Sequence, residues 1–232
     1  MNEESTVERI SGIGKQARFK IKEYKPPKEE GEIFPNMDEK GKIIGAVSRS
    51  EAHKGPEKKI HGGVRILVID PQTKEIYLPK RSAEKDKDPN CLDYGAGEHS
   101  TVNRETGELE TWTQTGERGL EEEIGLKPKD YRLTRIPGHI LDETDPTQRE
   151  WSTFYIAKVS KDQPIFPDKK EIDPSKGGWF KIADLLEIAD GKPSKENPLV
   201  AHQIRPMLLN DLKINRIRKV LEEIISGKEV TA

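Results

Sequence analysis

The sequence predicts a mixed fold of the α/β or α+β class, in which β-strands and a few helices share one domain. Short apolar segments with strand character recur between residues 42 and 157, and they are mixed with two or three segments of helical spacing. This mixture, without any internal repeat, disfavours a parallel doubly wound sheet. The length of 232 residues suits one sizeable domain with extensions, or two small domains.

The first 35 residues are predicted to be an N-terminal extension or linker. They are mostly polar, and the pair Pro26-Pro27 followed by residues 28–31 is typical of an extended linker. A short strand or docking segment also fits the apolar residues of this region, which are Phe19, Ile21 and Tyr24.

Strands are predicted, in chain order, at residues 42–47, 64–69, 75–78, 131–136 and 151–157. The second and third of these flank the turn sequence Asp70–Lys74, so we predict a β-hairpin there. Helices are predicted over residues 111–124 and 182–188. Together these segments define a main domain over residues 36–192.

Residues 193–232 are predicted to form a helical extension that follows a break between Pro193 and Pro198. Its apolar residues lie on one face at helical spacing, and they are Ile217, Val220, Leu221, Ile224 and Ile225. Packing of this face on the main domain is the simplest interpretation. A contact with a second copy in a homodimer, or with another partner, is the alternative.

The composition excludes several classes of protein. A net charge of −2 provides no general attraction to nucleic acid or to an anionic membrane. The single cysteine, Cys91, excludes an intramolecular disulfide framework and a zinc site built from several cysteines. The N-terminal residues lack the pattern of a secretory signal, and no apolar run approaches about 18 residues. We therefore expect a soluble, cytoplasmic protein.

The segment of residues 118–126 concentrates acidic side chains on the longer predicted helix. Helical spacing places its apolar residues on a buried face and turns Glu122 and Glu123 outward. Neighbouring carboxylates suit a hard divalent cation such as Mg²⁺, which takes oxygen ligands and substrate phosphates. Gly119 is unexpected in this helix, since glycine inside a helix costs about 1 kcal/mol relative to alanine.

The same segment resembles the second half of the Nudix box, whose form is G-x5-E-x7-R-E-U-x-E-E-x-G-U with U apolar. The matching residues are Arg118, Leu120, Glu122, Glu123, Gly125 and Leu126, and Glu110 lies at the x7 spacing before Arg118. The resemblance implies a Nudix-type α/β/α sandwich with a mixed sheet over about residues 36–190. It also implies that Glu122 and Glu123 bind Mg²⁺ or Mn²⁺ at a diphosphate, and that Arg118 orients them.

Further residues resemble the isopentenyl-diphosphate-isomerase-like branch of that family. They are Asp38-Glu39, Gly45, Arg49, His53, Lys80–Ser82, Lys85-Asp86, Pro89, Asp93, Gly95–His99, Gly178–Phe180 and Asp184-Leu185. By this resemblance, His53, His61 and His99 occupy the places of three metal-binding imidazoles, and such a set with a carboxylate suits a transition metal. Isomerase activity is not expected, because Ala96 stands where the isomerase has its acid/base cysteine.

The box departs from the family pattern at Gly119, which replaces a glutamate that is often a metal ligand. The loop that precedes Glu108 is also longer than in the family. Glu108 and Glu110 compete for the first glutamate of the box, and the x7 count favours Glu110. The missing carboxylate is expected from Glu110 or from Glu150, since the isomerase-like branch has a glutamate facing the active site at the latter strand position.

Candidate substrate-binding residues lie on the predicted strands. Arg65 and Arg81 are expected to hold phosphate groups, because a guanidinium group matches phosphate oxygens, and His99 is a third candidate. A solvated strand face is the alternative for the two arginines. Tyr94 and Trp151 are predicted either to stack on a substrate ring or to belong to the core.

The resemblance implies a pyrophosphohydrolase, dependent on Mg²⁺ or Mn²⁺, that cleaves a diphosphate linkage in a nucleoside diphosphate derivative or a similar small molecule. The expected catalytic residues are Glu122, Glu123, Glu150 and Arg118, with Glu110 as a further metal ligand. The alternative is a Nudix-fold module that has lost catalysis and binds a nucleotide, RNA or a protein partner. Gly119 and the lengthened loop are the reasons for considering it.

Overall fold

The computed structural model describes residues 7–11, 18–54, 58–85, 87–143, 149–192 and 201–228. The break predicted between Pro193 and Pro198 lies outside these residues. Among the helices of the described ranges, none combines the length and the apolar character that crossing a membrane requires.

The strands are β1 (Val7–Ser11), β2 (Arg18–Ile21), β3 (Ile33–Met37), β4 (Ile43–Ser48), β5 (Ile60–Asp70), β6 (Glu75–Arg81), β7 (Ala96–His99), β8 (Glu108–Leu109), β9 (Arg132–Asp142), β10 (Arg149–Lys158) and β11 (Ile172–Lys181). The helices are α1 (Arg49–Lys54), α2 (Trp112–Ile124), α3 (Ile182–Ala189), α4 (Pro206–Asp211) and α5 (Asn215–Ile225). Each predicted strand and helix has a counterpart here, which confirms the mixed α+β fold.

The described strands form two sheets. The smaller has the order β1-β2-β8. The larger has the order β11-β6-β5-β10-β9, and in addition β3 pairs with β4 and β5 while β7 pairs with β5. The predicted hairpin is confirmed by the antiparallel pair β5–β6, in which Val68 faces Tyr77. Its turn is closed by Asp70, whose Oδ1 accepts the backbone N–H of Gln72 at 2.8 Å.

Strands also occur within the region that the sequence analysis described as an extension. β2 pairs antiparallel with both β1 and β8. The side chain of Ile21 is buried in a cluster with Ile33 and Val102. The short strand considered for this region is therefore present, and irregular structure occupies residues 22–32 between β2 and β3.

The chain divides into two compact units. The first comprises Met1–Val64, Glu98–Gly116 and Gly138–Thr153, and the second comprises Arg65–Gly97, Glu117–Pro137 and Phe154–Ala232. The elements β5, β7, β9, β10 and α2 each contribute residues to both units.

In the second unit, a buried ion pair holds the C-terminal segment. Nη1 of Arg65 donates to Oδ2 of Asp211 at 2.7 Å, and the two side chains are 4% and 8% exposed. The hydroxyl of Tyr94 donates to the same carboxylate oxygen. The guanidinium carbon of Arg65 lies 5.8 Å from the ring centroid of Tyr94 and 5.7 Å from that of Phe154. Burial and the charge of Asp211 raise the pKa of Tyr94 well above its usual value, so the phenol remains a donor.

Helix α5 packs against α3 in the same unit. The buried residues of α5 are Ile217, Leu221 and Ile224, and Val220 and Ile225 are half-buried. Nη1 and Nη2 of Arg218 donate to the two carboxylate oxygens of Asp190 at 2.7 and 2.9 Å, which is the paired geometry that a guanidinium group favours. The apolar face predicted for this segment therefore lies largely against the chain itself.

We predict that Asp211→Asn lowers the free energy of unfolding by about 3 kcal/mol or more, because it leaves the charge of Arg65 buried without its carboxylate. Urea unfolding followed by circular dichroism measures this change. Asp190→Asn is the matched control, and it should cost much less because its ion pair with Arg218 is exposed. Equal losses in the two variants would contradict a dominant role for the buried pair.

Candidate functional site

Three histidines from separate segments of the first unit lie close together. His53 belongs to α1, His61 to β5 and His99 to the end of β7. One ring nitrogen of each histidine lies within 4.8 Å of the others. This spacing would allow the three rings, called the histidine cluster below, to bind one metal ion.

Glu150, on β10, adds a buried carboxylate to the histidine cluster. Its Oε2 lies 3.4 Å from Nε2 of His99, and its side chain is 8% exposed. The hydroxyl of Ser152 donates to the other oxygen of Glu150. Three imidazole nitrogens and one carboxylate oxygen form a donor set that transition metals such as Mn²⁺ accept. Glu150 is one of the residues expected from the sequence to replace the carboxylate missing at Gly119, and in the structure it lies beside His99.

The environment of His61 prepares its ring to bind a metal ion. Nδ1 lies 3.2 Å from the carbonyl oxygen of Lys59, so the proton of a neutral ring belongs on Nδ1. Nε2 is buried and has no hydrogen-bond partner among the described residues. Burial, reinforced by the neighbouring His99, lowers the pKa of His61 to about 4. The ring is therefore neutral near pH 7, and the lone pair of Nε2 is suited to a metal ion.

Phe34, on β3, packs its aromatic ring against all three imidazoles of the histidine cluster. Its ring centroid lies 5.2 Å from that of His61, to which it is nearly parallel, and 4.9 Å from that of His99. The ring of His53 meets it edge-on at 6.0 Å. Phe34 is fully buried, so it excludes water from this side of the cluster and restricts the orientation of the imidazoles.

Two adjacent glycines of β5 allow large side chains to approach the strand closely. A Cβ atom at Gly63 would overlap the carboxylate of Glu150, and one at Gly62 would overlap the ring of Trp112. Successive strand residues face opposite sides, so Glu150 lies on the side of His61 and Trp112 on the other. The sequence analysis missed both glycines, although glycine inside a buried strand is a known signal of close approach.

Helix α2 begins with a capping box. Oγ1 of Thr111 accepts the N–H of Gln114 at 3.3 Å, and Oε1 of Gln114 accepts the N–H of Thr111 at 2.9 Å. This reciprocal pair satisfies two of the backbone donors that a helix leaves open at its start. It explains why the helix starts within one residue of the predicted position.

The two candidates for the first glutamate of the box have different partners in the structure. Oε2 of Glu110 accepts the N–H of Thr101 at 3.2 Å, its hydroxyl at 3.1 Å and the hydroxyl of Thr115 at 3.1 Å. Glu108 pairs instead with Arg18 on the neighbouring strand of the small sheet. Glu110 therefore braces the start of α2, whereas its predicted role as a metal ligand stays a prediction.

The helix carboxylates Glu122 and Glu123 have different environments in the second unit. Nη1 of Arg118 donates to Oε2 of Glu122 at 3.3 Å, and the Glu122 side chain is 60% exposed. Glu123 is half-buried, and its Oε1 accepts the backbone N–H of Gly97 at 3.0 Å. Gly119 is buried on the same helix and provides no ligand. The predicted contact of Arg118 is thus present for Glu122, while a backbone amide holds Glu123.

Arg65 and Arg81 have partners within the protein that differ from the predicted substrate. Arg65 is buried and donates to Asp211, so it does not lie on a solvated strand face, and its predicted role in binding phosphate stays a prediction. Arg81 donates to Asp93 at 2.8 Å, and its Nε and Nη2 donate to the carbonyl oxygen of Lys87 at 3.1 and 2.9 Å. These contacts fix the loop that follows β6. Tyr94 belongs to the core, which agrees with the second of the two interpretations offered for it.

Comparison with known proteins identifies relatives for most of the chain. Residues 59–202 match the family model of the NUDIX domain. An uncharacterized Nudix hydrolase from Nostoc sp. is 29% identical over 168 residues, which span 72% of this chain and 90% of the relative. The crystal structure of DR0079 from Deinococcus radiodurans is similar with a TM-score of 0.53 at 19% identity, over 78% of this chain and 99% of that one. At that identity, the second likeness concerns the fold alone.

We predict that Gly63→Ala lowers the affinity for Mn²⁺ by about tenfold or more, because the added methyl group displaces the carboxylate of Glu150. Isothermal titration of metal-stripped protein with Mn²⁺ measures the affinity. Gly45→Ala is the control in the same unit, since a Cβ atom there meets nothing within 4 Å. Equal affinities in the two variants would argue against Glu150 as a ligand.

The lowered pKa of His61 predicts a pH dependence of stability in the metal-free protein. Between the ordinary value of 6.5 and about 4, the unfolded chain binds a proton at His61 that the folded chain does not. Folding is therefore favoured above this window, and stability decreases as the pH falls through it. Urea unfolding with EDTA at about pH 7 and about pH 5 should show a smaller acid-induced loss for His61→Gln than for wild type. Parallel losses would contradict a neutral, buried His61.

Proposed function

Because the chain belongs to the NUDIX domain family, we propose that it cleaves a diphosphate linkage in a nucleoside diphosphate derivative or a similar small molecule. Membership rests on the match over residues 59–202, which is more than half of the chain. Enzymes of this family hydrolyse compounds linked to nucleoside diphosphates and generally use divalent metals. The likeness to a Nudix hydrolase over most of both chains supports the same reaction class.

The observation that best supports metal dependence is the histidine cluster with Glu150. Its buried nitrogen donors favour Mn²⁺ over Mg²⁺, since Mg²⁺ prefers oxygen ligands and retains several waters. Glu122 and Glu123 offer oxygen ligands, so we propose Mg²⁺ or Mn²⁺ for these carboxylates.

The residues of the chain hold these ligands in place. A bound divalent cation would neutralise charge on the diphosphate while water attacks phosphorus. Arg118 orients Glu122 through a charge-assisted hydrogen bond, and the amide of Gly97 orients Glu123. Within the first unit, Glu150, which is buried and hydrogen-bonded by Ser152, is better suited than Glu110 to ligate a metal ion at the histidine cluster.

A second candidate function is a Nudix-fold module that binds a nucleotide, RNA or a protein partner without turnover. The observation that favours it is Gly119, a buried helical position without the carboxylate that the family pattern has there. Under this proposal, binding would not require a divalent cation.

We expect the purified protein to hydrolyse at least one compound in a panel of nucleoside diphosphate derivatives when Mg²⁺ or Mn²⁺ is present. Phosphate or nucleotide release measures turnover, and EDTA should abolish it. Glu123→Gln should lower kcat/KM by about 100-fold or more, because a ligand of the charge-neutralising cation is lost. Glu121→Gln is the matched control, since Glu121 is exposed on the same helix and should leave kcat/KM near the wild-type value.

The two candidate functions give different results in this experiment. Turnover that depends on metal and on Glu123 supports the hydrolase. Absence of turnover for every compound, together with tight nucleotide binding in EDTA, supports the binding module. Turnover that is the same in Glu123→Gln and Glu121→Gln would contradict the role proposed for Glu123.

A further inference from the structure

The first unit contains a pocket of about 540 Å³ that none of the candidate metal ligands described above lines. It lies at neighbouring ends of β3, β5 and β10, and its volume falls within the range of about 300–1,000 Å³ that is usual for small-molecule sites. Three of its lining residues are cationic, namely Lys58, Lys59 and Arg149. Its apolar lining residues are Met37, Ile44 and Ile60.

The acidic residues of this pocket are engaged by partners within the protein. Oδ1 of Asp38 accepts the backbone N–H groups of Lys40 and Lys42 at 2.9 and 2.8 Å. Glu39 pairs with Arg149 at 3.3 Å. Arg149 is therefore largely neutralised within the protein, and both carboxylates already have positive or hydrogen-bonding neighbours.

Lys58 is a cation of the pocket whose charge no carboxylate of the described residues neutralises. Its Nζ donates to the carbonyl oxygen of His53 at 2.8 Å, and it forms no ion pair with a carboxylate of the described residues. An ammonium group has three donors, so two remain for an anion that enters the pocket. Because the side chain is half-buried, this charge acts in a partly water-excluded space and attracts an anion more strongly than an exposed lysine does.

An apolar wall lies beside this charge. Met37 and Ile60 face each other across β3 and β5, and both are buried. Ile44 is 49% exposed, which is unusual for a large apolar side chain in the described part of this protein. An aliphatic group in the pocket would remove part of Ile44 from water, which is favourable in proportion to the area buried.

We propose that this pocket binds a small organic phosphate, with its phosphate group on Lys58 and an aliphatic body against Met37, Ile44 and Ile60. A compact ammonium group is a common phosphate-binding group because it acts as a point charge. The site goes beyond the proposed function, because binding there requires neither a metal ion nor turnover.

The side chain of Lys58 and the backbone of Lys59 are held in place before a ligand arrives. Lys58 is held by the carbonyl of His53, and the carbonyl of Lys59 accepts Nδ1–H of His61 at 3.2 Å. The backbone of Lys59 also enters β5 at the next residue. Such preorganisation reduces the conformational entropy that binding would otherwise cost.

The test is isothermal titration of the full chain in EDTA with n-butyl phosphate and with inorganic phosphate. Butyl phosphate should bind about tenfold or more tightly than inorganic phosphate, because each buried methylene adds apolar contact. Lys58→Gln should weaken both ligands about tenfold or more, since a charge-assisted hydrogen bond is lost. Ile44→Ser should weaken butyl phosphate alone. Lys54→Gln, at an exposed position of α1 outside the pocket, should leave both affinities unchanged.

Several results would overturn this inference. One is an equal affinity for butyl phosphate and inorganic phosphate. A second is that Lys58→Gln and Ile44→Ser leave the affinities as unchanged as Lys54→Gln does. A third is tighter binding of butanoate than of butyl phosphate. Lys58→Arg should restore phosphate binding, and circular dichroism of each variant separates a lost site from a lost fold. Because EDTA is present throughout, failure of the proposed hydrolase activity does not affect this result.

Discussion

The close approach of Glu150 and Trp112 to the two glycines of β5 is the constraint on which the candidate site depends. Any side chain at Gly63 would occupy the space of the Glu150 carboxylate, and any at Gly62 would occupy the space of the Trp112 ring. Glycine weakens a strand, because it loses more conformational freedom on folding and has no side chain to pack. β5 contains both glycines even though the whole strand is buried. The absence of a side chain at Gly63 leaves room for a buried carboxylate that lies 3.4 Å from the imidazole of His99.

The two sets of possible metal ligands differ in physical character. The histidine cluster packs against the buried ring of Phe34. Burial keeps His61 neutral, and a neutral imidazole nitrogen is able to coordinate a metal ion. Glu122 and Glu123 lie on α2, where one is largely exposed and the other is held by a backbone amide. Gly119 removes one carboxylate from the helix. The chain thus has candidate oxygen ligands in a form close to the Nudix box, together with a cluster of candidate nitrogen ligands outside that box.

Local patterns predicted the elements whose stabilising contacts are close in sequence. The hairpin of β5 and β6 and the helices α2 and α3 follow from short-range spacing and turn residues. The small sheet was harder to predict, because β2 is stabilised by pairing with β8, about ninety residues later. For the same reason, Arg65 could not be recognised as a structural residue. Its partner Asp211 lies far along the chain, and a strand arginine with a distant buried partner resembles one that faces a substrate.

The sequence by itself determined the family, the mixed α+β fold and the helix that carries Glu122 and Glu123, because these depend on spacing along a single segment. It also marked His53, His61 and His99 as candidates through resemblance. Only the tertiary structure decided that those three rings meet and that Glu150 joins them. The reason is physical: such contacts depend on which face of a strand each residue occupies and on which strands become neighbours, and a single segment encodes neither.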